Sequence, residues 1–202
     1  MALFPETIES ERLRYEAIRP GAFDPFEMYE HVRPSAPRID EVTQYLTWEP
    51  HATPKETAEF VEHAGEQFAD DEAVHYAIYP TTGAHEGEFV GTTGLHPEWD
   101  RRLATLGLWL RPVVWGNGYS GERAARLFEL AFDRLDLDAV AVEHDVRNEK
   151  SEHAVARYVE RFGGRREGRL RNAVATQSGD VYDTVRYTVS KEEWADAVDA
   201  DE

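Results

Sequence analysis

The chain has 202 residues, of which 41% are hydrophobic, so it can bury one sizeable core, and a single domain over residues 1–202 is expected. Cysteine is absent, which excludes disulfides, thiolate metal sites and a cysteine nucleophile. Asp and Glu total 40 against 22 Lys and Arg, giving a net charge of −18, which argues against a nucleic-acid partner.

Lysine is scarce, with Lys55, Lys150 and Lys191 as the three in the chain. A surface rich in carboxylates repels itself in dilute buffer and is tolerated where salt screens it, so the composition predicts a halophilic protein. An ordinary acidic protein is the alternative. No apolar run has the length of a membrane span, and the N-terminal residues do not resemble a secretory signal, so we expect a cytoplasmic protein with no membrane partner.

Apolar periodicity and helix-cap signals predict the following elements in chain order. Strands are expected at residues 12–19, 74–79, 88–95, 103–110, 139–146, 165–173 and 181–189. Helices are expected at residues 23–32, 54–69, from the turn after 118 to about 135, 149–162 and 192–198, with one helical turn at 39–45 and a frayed acidic tail. The last hairpin would turn at Ser178-Gly179-Asp180. This order predicts an α/β (α+β) fold with a mixed sheet covered by helices.

A glycine-rich turn between a strand and a helix is the most informative motif. It reads Trp115-Gly-Asn-Gly-Tyr-Ser-Gly-Glu122, with glycines at 116, 118 and 121. The free N–H groups and the positive dipole end of the following helix favour a phosphate there. A nucleotide-like ligand is therefore predicted.

The same glycines have two other interpretations. Gly116, Gly118 and Gly121 match the dinucleotide fingerprint, and Glu143 and Asp145 follow roughly 20 residues later, as an NAD site requires. That fingerprint normally opens a series of parallel βαβ units, whereas one crossover fits here. A purely structural turn is the third interpretation.

Several segments in order resemble the GCN5-related N-acetyltransferase (GNAT) superfamily, within it the RimJ/RimL-like ribosomal-protein N-terminal acetyltransferases. They are Thr7-Ile-Glu-Ser-Glu-Arg-Leu13, Gln44-Tyr-Leu-Thr-Trp-Glu-Pro50, Phe89-Val-Gly-Thr-Thr-Gly-Leu95, Leu106-Gly-Leu-Trp-Leu-Arg-Pro112, the glycine turn, Asn148-x-x-Ser151, Gly164-Arg-Arg-Glu-Gly168 and Tyr182-Asp183. The resemblance implies a mostly antiparallel sheet of about seven strands, splayed between the fourth and the fifth.

The resemblance also implies acetyl-CoA as cosubstrate and a set of residues that bind it. The diphosphate would lie on the backbone N–H groups of the turn, and the pantetheine arm would pair with the strand before it, where that strand splays from the strand at 139–146. Arg123 would add a charge, although a solvated helix position is equally compatible with the sequence. The implied residues are Leu108, Trp109, Leu110, Arg111, Trp115, Gly116, Asn117, Gly118, Tyr119, Ser120, Arg123, Asn148 and Ser151. The superfamily often has a basic residue or glutamine at 113 and a basic residue at 117, where this chain has Val113 and Asn117.

Transfer of an acetyl group to an amine needs a proton donor for the departing thiolate. By resemblance, Asn148 contacts the pantetheine amide and Ser151 approaches the sulfur, with Tyr158 as the alternative acid. The sequence leaves open that Asn148 merely caps a helix.

The general base is less defined by the sequence. Related enzymes often carry a glutamate where this chain has Thr105. Glu98 is the predicted substitute, and Asp100 and His96 at the same strand end are alternatives.

The sequence thus predicts an acetyl-CoA-dependent N-acetyltransferase acting on a protein or peptide N-terminus or on a small amine. A non-catalytic acyl-CoA-binding or interaction module on the same fold is the alternative. No metal is expected, because the histidines lack ligand spacing. A homodimer is compatible with the resemblance.

Overall fold

A computed structural model describes residues 2–176 and 179–201. The helices are α1 (Pro25–Val32), α2 (Ile39–Thr43), α3 (Pro54–Ala69), α4 (Tyr119–Glu129), α5 (Glu149–Arg161) and α6 (Lys191–Asp201). The strands are β1 (Thr7–Glu9), β2 (Leu13–Ala17), β3 (Val74–Pro80), β4 (Gly91–Glu98), β5 (Leu103–Leu110), β6 (Ala139–Asp145), β7 (Arg165–Ala175) and β8 (Val181–Ser190). Ser178, predicted in the last turn, lies outside the described residues.

The chain divides into two compact units. The first comprises Met1–His96 and Gly107–Tyr119, and the second comprises Pro97–Leu106 and Ser120–Glu202. The prediction of a single domain over residues 1–202 is not tested by this division and stays a prediction.

The first unit carries the antiparallel part of the sheet, in the strand order β1-β2-β3-β4 followed by the end of β5. Its core is aromatic: the ring of Phe89 lies 5.8 Å from Trp109, and Trp48 lies 5.7 Å from Trp109, measured between centroids. Helices α1 and α3 pack together, and Met28, Val32, Val61 and Ala64 extend this core. Burial of these side chains stabilises the unit through the hydrophobic effect.

The second unit contains the parallel strand pair of the fold. The start of β5 pairs in parallel with β6, from Leu103 opposite Ala139 to Leu106 opposite Val142. Beyond that point the rest of β6 pairs antiparallel with β8, which in turn pairs with β7. The pairing of β5 with β6 therefore ends midway along both strands.

A cluster of rings forms the core between the helices of the second unit. Phe128 of α4 lies 5.6 Å from Phe162 and 5.8 Å from Trp194, while Phe162 lies 5.0 Å from Trp194. After Glu129 the helix continues as a π-helical turn, Leu130–Arg134, and Gly163 ends α5 with a φ of 73°. These contacts pack the end of α4, the end of α5 and the helix α6 together.

The fold class is as predicted: a mixed, mostly antiparallel sheet flanked by helices. The described residues contain eight strands, one more than expected, and the additional one is the short strand β1.

The strand predicted at 88–95 was misplaced and begins at Gly91. At Gly91 the φ is 150°, and an added Cβ would lie 2.2 Å from the carbonyl oxygen of Trp109, so this close approach of two backbones requires glycine.

The two ends of the described chain differ from the prediction in detail. Helix α6 continues to Asp201, three residues beyond the predicted 198, and the predicted fraying of the acidic tail stays a prediction. Within the part of the chain that the structure describes, no helix is long and apolar enough to cross a bilayer.

Candidate active site

The glycine turn begins the helix α4. A single 3₁₀ turn, Pro112–Val114, follows β5, and α4 starts at Tyr119. Gly116 and Gly118 adopt φ values of 83° and 80°, in the left-handed region that favours glycine. Two glycines are thus needed for the chain to reverse into the helix. Gly121 has no such φ and lies inside the helix.

The turn exposes backbone, although fewer amides are free than predicted. Nothing lies within 4 Å of a Cβ built on Gly116. The N–H of Trp115 donates to the Pro112 oxygen at 3.3 Å, and that of Asn117 donates to the Val114 oxygen at 3.4 Å. A phosphate on this turn would therefore rely on the N–H groups of Gly116, Gly118 and the first helical residues.

Two arginines that are distant in sequence brace this turn. The Nη1 of Arg12 donates to the backbone oxygen of Asn117 at 3.1 Å, and its guanidinium lies 5.2 Å from the ring centre of Tyr119. The guanidinium of Arg38 lies 5.1 Å from the ring centre of Trp115. Arginine side chains from elsewhere in the chain thus contact the turn that carries Val113 and Asn117, although the charge of Arg38 is also paired with Glu41 at 2.7 Å.

The strand before the turn has its backbone groups partly occupied. The N–H of Arg111 donates to the Val90 oxygen at 2.8 Å, and the indole of Trp115 donates to the Leu110 oxygen at 2.8 Å. The side chain of Trp109 is buried in the core of the first unit. Because alternate residues of a strand direct their backbone groups to opposite edges, Leu108 and the N–H of Leu110 remain as candidates to pair with a ligand.

In the second unit, Asn148 is the N-cap of α5. Its Oδ1 accepts from the backbone N–H of Ser151 at 3.0 Å. The backbone N–H of Ser151 can donate only to the side-chain oxygen of Asn148, so the side-chain NH₂ group of Asn148 is not used by the cap. That NH₂ group has no partner in the described chain. The cap and a ligand contact are therefore compatible in one side chain.

Arg123 and Tyr158 are buried, with exposures of 2% and 4%. The solvated position considered for Arg123 is thus wrong, because its side chain is enclosed by the second unit. Burial raises the pKa of Tyr158, and the nearby charge of Arg123 acts in the opposite direction. A hydrogen bond between the Arg123 and Tyr158 side chains also acts to lower that pKa. Apart from this contact, the Tyr158 hydroxyl and two nitrogens of Arg123 lack hydrogen-bond partners in the described residues.

The three candidate bases differ in their surroundings. Glu98 and Asp100 are exposed, and the carboxylate of Glu98 is 2.7 Å from the Nη1 of Arg101. His96 is half-buried, with its ring 4.9 Å from that of His75. Burial lowers the pKa of His96, so the ring is neutral at neutral pH but is a weaker base than an exposed histidine.

The structure adds Glu143 as a candidate base that the sequence did not indicate. Thr105 lies opposite Ala141 in the parallel pair, so Thr105, Ala141 and Glu143 share one face of the sheet. Glu143 is the first residue of β6 after the pairing ends. Its Oε2 accepts from the Oγ1 of Thr184 at 2.8 Å, and Arg186 approaches its Oε1 at 3.8 Å.

Comparison with known proteins identifies the family. Residues 13–158 match the acetyltransferase (GNAT) domain. The chain therefore belongs to the GNAT acetyltransferases, a class of acyltransferases that use acetyl-CoA, and the family and enzyme class predicted from the sequence are confirmed.

One relative is Putative ribosomal N-acetyltransferase YdaF of Bacillus subtilis (strain 168), which is 33% identical over 111 residues. The match spans 54% of this chain and 58% of that relative, so less than two thirds of its length is covered. The similarity agrees with the predicted RimJ/RimL-like group.

Solved structures share the fold. A crystal structure of a putative acetyltransferase from T. thermophilus is 28% identical, with a TM-score of 0.75, covering 98% of this chain and 95% of that one. The Microcin C7 self immunity acetyltransferase MccE, in complex with acetyl-CoA and AMP, is 17% identical, with a TM-score of 0.75 and coverage of 94% and 98%. At that identity the likeness concerns the fold alone.

The interpretation of the glycines as an NAD site is wrong, because the parallel pairing of β5 with β6 is not part of a series of parallel strands and the family is GNAT. Among the described residues, no group of three or more His, Asp or Glu side chains could hold a metal ion. The individual site residues predicted from the sequence are not tested by the comparisons.

Proposed function

We propose that this chain is an acetyl-CoA-dependent N-acetyltransferase that acetylates a primary amine, with a protein or peptide N-terminus as the first candidate and a small amine as the second. The observation that carries the proposal is the glycine turn at the start of α4, braced by Arg12 and Arg38 within a GNAT domain. The name of the Bacillus relative supports a ribosomal-protein acceptor.

The glycine turn before α4 has the features that a coenzyme diphosphate requires. The open space at Gly116, the N-terminus of an 11-residue helix and the guanidinium of Arg12 together suit a diphosphate.

Trp115, Asn117 and Tyr119 would shape this turn, and Leu108 and Leu110 would pair with the pantetheine amides through their backbones. Trp109 and Arg111 would contribute by fixing the strand.

The remaining residues that the resemblance implies for the coenzyme belong to the second unit. Ser120 lies in the first turn of α4, and the free NH₂ group of Asn148 is suited to a pantetheine carbonyl. Arg123 would add a positive charge. Acetyl-CoA supplies the acetyl thioester when bound.

Three side chains would move or hold protons. The Oγ of Ser151, half-buried in the first turn of α5, would donate a proton to the departing thiolate, with the hydroxyl of Tyr158 as the second donor. A carboxylate would hold the proton taken from the amine. Glu98 was the expectation from the sequence; the half-buried Glu143, on the face of Thr105, is favoured by its fixed geometry.

A thiol-release assay in molar KCl tests the proposal, using acetyl-CoA with N-terminal peptides of ribosomal proteins and a panel of polyamines. We expect CoA release that depends on a free amine, and mass spectrometry should find one added acetyl group. An N-terminally blocked peptide is the matched control. Absence of CoA release with every acceptor would reject the proposal.

A non-catalytic coenzyme-binding module is the second candidate. The observation in its favour is Thr105, which lacks the carboxylate that related enzymes often carry at this position. It predicts that acetyl-CoA binds with no turnover over the whole panel. A homodimer, the single-domain organisation, the cytoplasmic location and adaptation to high salt remain proposals, and light scattering across a KCl series tests the first and the last.

A further inference from the structure

Arg123 is an unusual residue for its position in the fold. It lies in the second turn of α4, is 2% exposed, and is among the largest fully buried side chains of the chain. Although the chain has 40 carboxylates, none in its described part forms an ion pair with Arg123. A buried charge without a counter-charge costs free energy, so a counter-charge is expected from outside the chain.

The atoms without partners around Arg123 have one chemical character. Apart from the contact that the two side chains make with each other, they are the Nε and Nη1 of Arg123 and the hydroxyl of Tyr158, and all three can donate a hydrogen bond. The two residues belong to packed helices of the second unit, since a Cβ on Gly121 would lie 3.6 Å from the Cβ of Tyr158. The ring of Tyr158 is fixed by Phe128, at 6.3 Å between centroids. A cluster of donors is complementary to an anion.

We propose that Arg123 and Tyr158 form a buried binding site for a small anion, either a free halide or inorganic phosphate or a phosphate group of the coenzyme. The guanidinium supplies the charge and two donors, and the phenol supplies the third donor. The positive end of the α4 dipole adds to the attraction because Arg123 lies within two turns of the start of the helix. This site differs from the exposed glycine turn in that its donors are side chains that are already enclosed.

The site makes stability depend on the identity of the anion. Any ligand that binds the folded state stabilises it by mass action, and an unpaired arginine destabilises the fold when the ligand is absent. The test is thermal unfolding of the full chain at fixed potassium concentration and ionic strength, in a series where potassium chloride replaces potassium gluconate. The proteins are the wild type, Arg123→Gln, Tyr158→Phe, and Arg126→Gln as a control with the same change of charge on the same helix.

The expected result is a chloride-dependent rise in the melting temperature of wild type, by about 3–5 °C for each tenfold increase above half-saturation. Arg126→Gln should retain this dependence, Tyr158→Phe should weaken it, and Arg123→Gln should lose it. In gluconate alone, Arg123→Gln should be as stable as wild type or more so. An unchanged chloride dependence in Arg123→Gln would overturn the proposal.

A second measurement keeps the proposal testable if a variant does not fold. Crystals of wild type grown in bromide should show an anomalous peak within hydrogen-bond distance of the Arg123 Nε and the Tyr158 hydroxyl, and absence of a peak there, together with no chloride dependence of wild type, contradicts the site. Repeating the melting series with saturating CoA separates the sources. If the melting temperature no longer depends on halide when CoA is bound, a phosphate group of the coenzyme occupies the site. If the dependence persists, the site holds a free anion. Neither measurement requires turnover.

Discussion

Arg12 and Asn117 are 105 positions apart in the sequence, yet the Arg12 guanidinium donates to the Asn117 backbone oxygen at 3.1 Å. The bond ties the residue just before β2 to the turn before α4, and the same side chain lies over the ring of Tyr119. It fixes the orientation of the two positive-φ glycines on which the proposed diphosphate contact depends. The conformation of that turn therefore depends on a tertiary contact as well as on its own residues.

Arg12→Gln should weaken coenzyme binding. It removes a charge-assisted donor to the turn, and we expect the Kd for CoA to rise roughly tenfold, the equivalent of one such hydrogen bond. Because the contact is short-ranged, the effect should persist in molar KCl. Arg33→Ala, which breaks an exposed ion pair with Glu30, is the matched control and should leave the Kd unchanged. Equal Kd values for Arg12→Gln and wild type would show that the Arg12–Asn117 hydrogen bond does not contribute to CoA binding.

Gly118→Ala should impair the turn more than the fold. A non-glycine residue at a φ of 80° costs about 1–2 kcal/mol of strain, which the turn can relieve by shifting its amides. We expect a modest fall in melting temperature and a clear loss of CoA affinity by calorimetry. Gly121→Ala is the control, since it is helical and its Cβ would meet Tyr158 at an ordinary 3.6 Å. A variant at 118 that binds CoA as wild type does would favour the purely structural turn.

Asn148→Asp separates the two roles of that side chain. Aspartate retains the oxygen that accepts from the Ser151 N–H, so the cap and the melting temperature should be preserved. It lacks the NH₂ group, and the KM for acetyl-CoA should rise about tenfold for the lost hydrogen bond. Asn148→Ala should lose both, with about 1 kcal/mol less stability. If Asn148→Asp has an unchanged KM, the residue is a cap alone.

Glu143→Gln and Glu98→Gln distinguish the candidate bases. The substitution of the true base should lower kcat by about 10²–10⁴-fold and remove the acidic limb of the pH–rate profile. We expect this of Glu143, because its carboxylate is held by Thr184 on the face of Thr105, whereas Glu98 is exposed and paired with Arg101. A large loss in Glu98→Gln with none in Glu143→Gln would reverse the assignment. No loss in either would direct attention to His96.

His75 should make the protein sensitive to acid. Burial lowers its pKa to about 3, whereas an unfolded histidine titrates near 6.5. Between these values the unfolded chain binds the extra proton, so this group's contribution to stability is present above about pH 6.5 and is lost as the pH falls toward 3. Denaturant unfolding should show a slope of up to about 1.4 kcal/mol per pH unit that His75→Gln reduces. His153→Gln, at an exposed histidine of α5, should leave the slope unchanged.

Local signals in the sequence were sufficient for most elements. Asp24 caps α1 before Pro25, and the glycines at 116 and 118 reverse the chain into α4, because caps and positive φ values are properties of a few adjacent residues. The start of β4 was misplaced because Gly91 is required by the backbone of Trp109, a contact between two strands. Such a contact leaves no mark in the neighbouring sequence.

The site was harder to predict because its parts are assembled by register and packing. Glu143 shares a face with Thr105 only through the pairing of β5 with β6, which hydrophobic patterns do not specify. Arg12 and Arg38 reach the turn from other elements. The burial of Arg123 had one signal, since it precedes the buried Leu127 by four residues and so flanks the apolar face of α4.

We propose that this GNAT domain binds the diphosphate of acetyl-CoA on the turn before α4. Isothermal titration calorimetry of CoA into the full chain in molar KCl tests this contact, with pantetheine, which has no phosphate, as the comparison ligand. We expect saturable binding of CoA, much weaker binding of pantetheine, and loss of the difference in Gly118→Ala. Equal heats for CoA and pantetheine, or no heat for CoA, would contradict it.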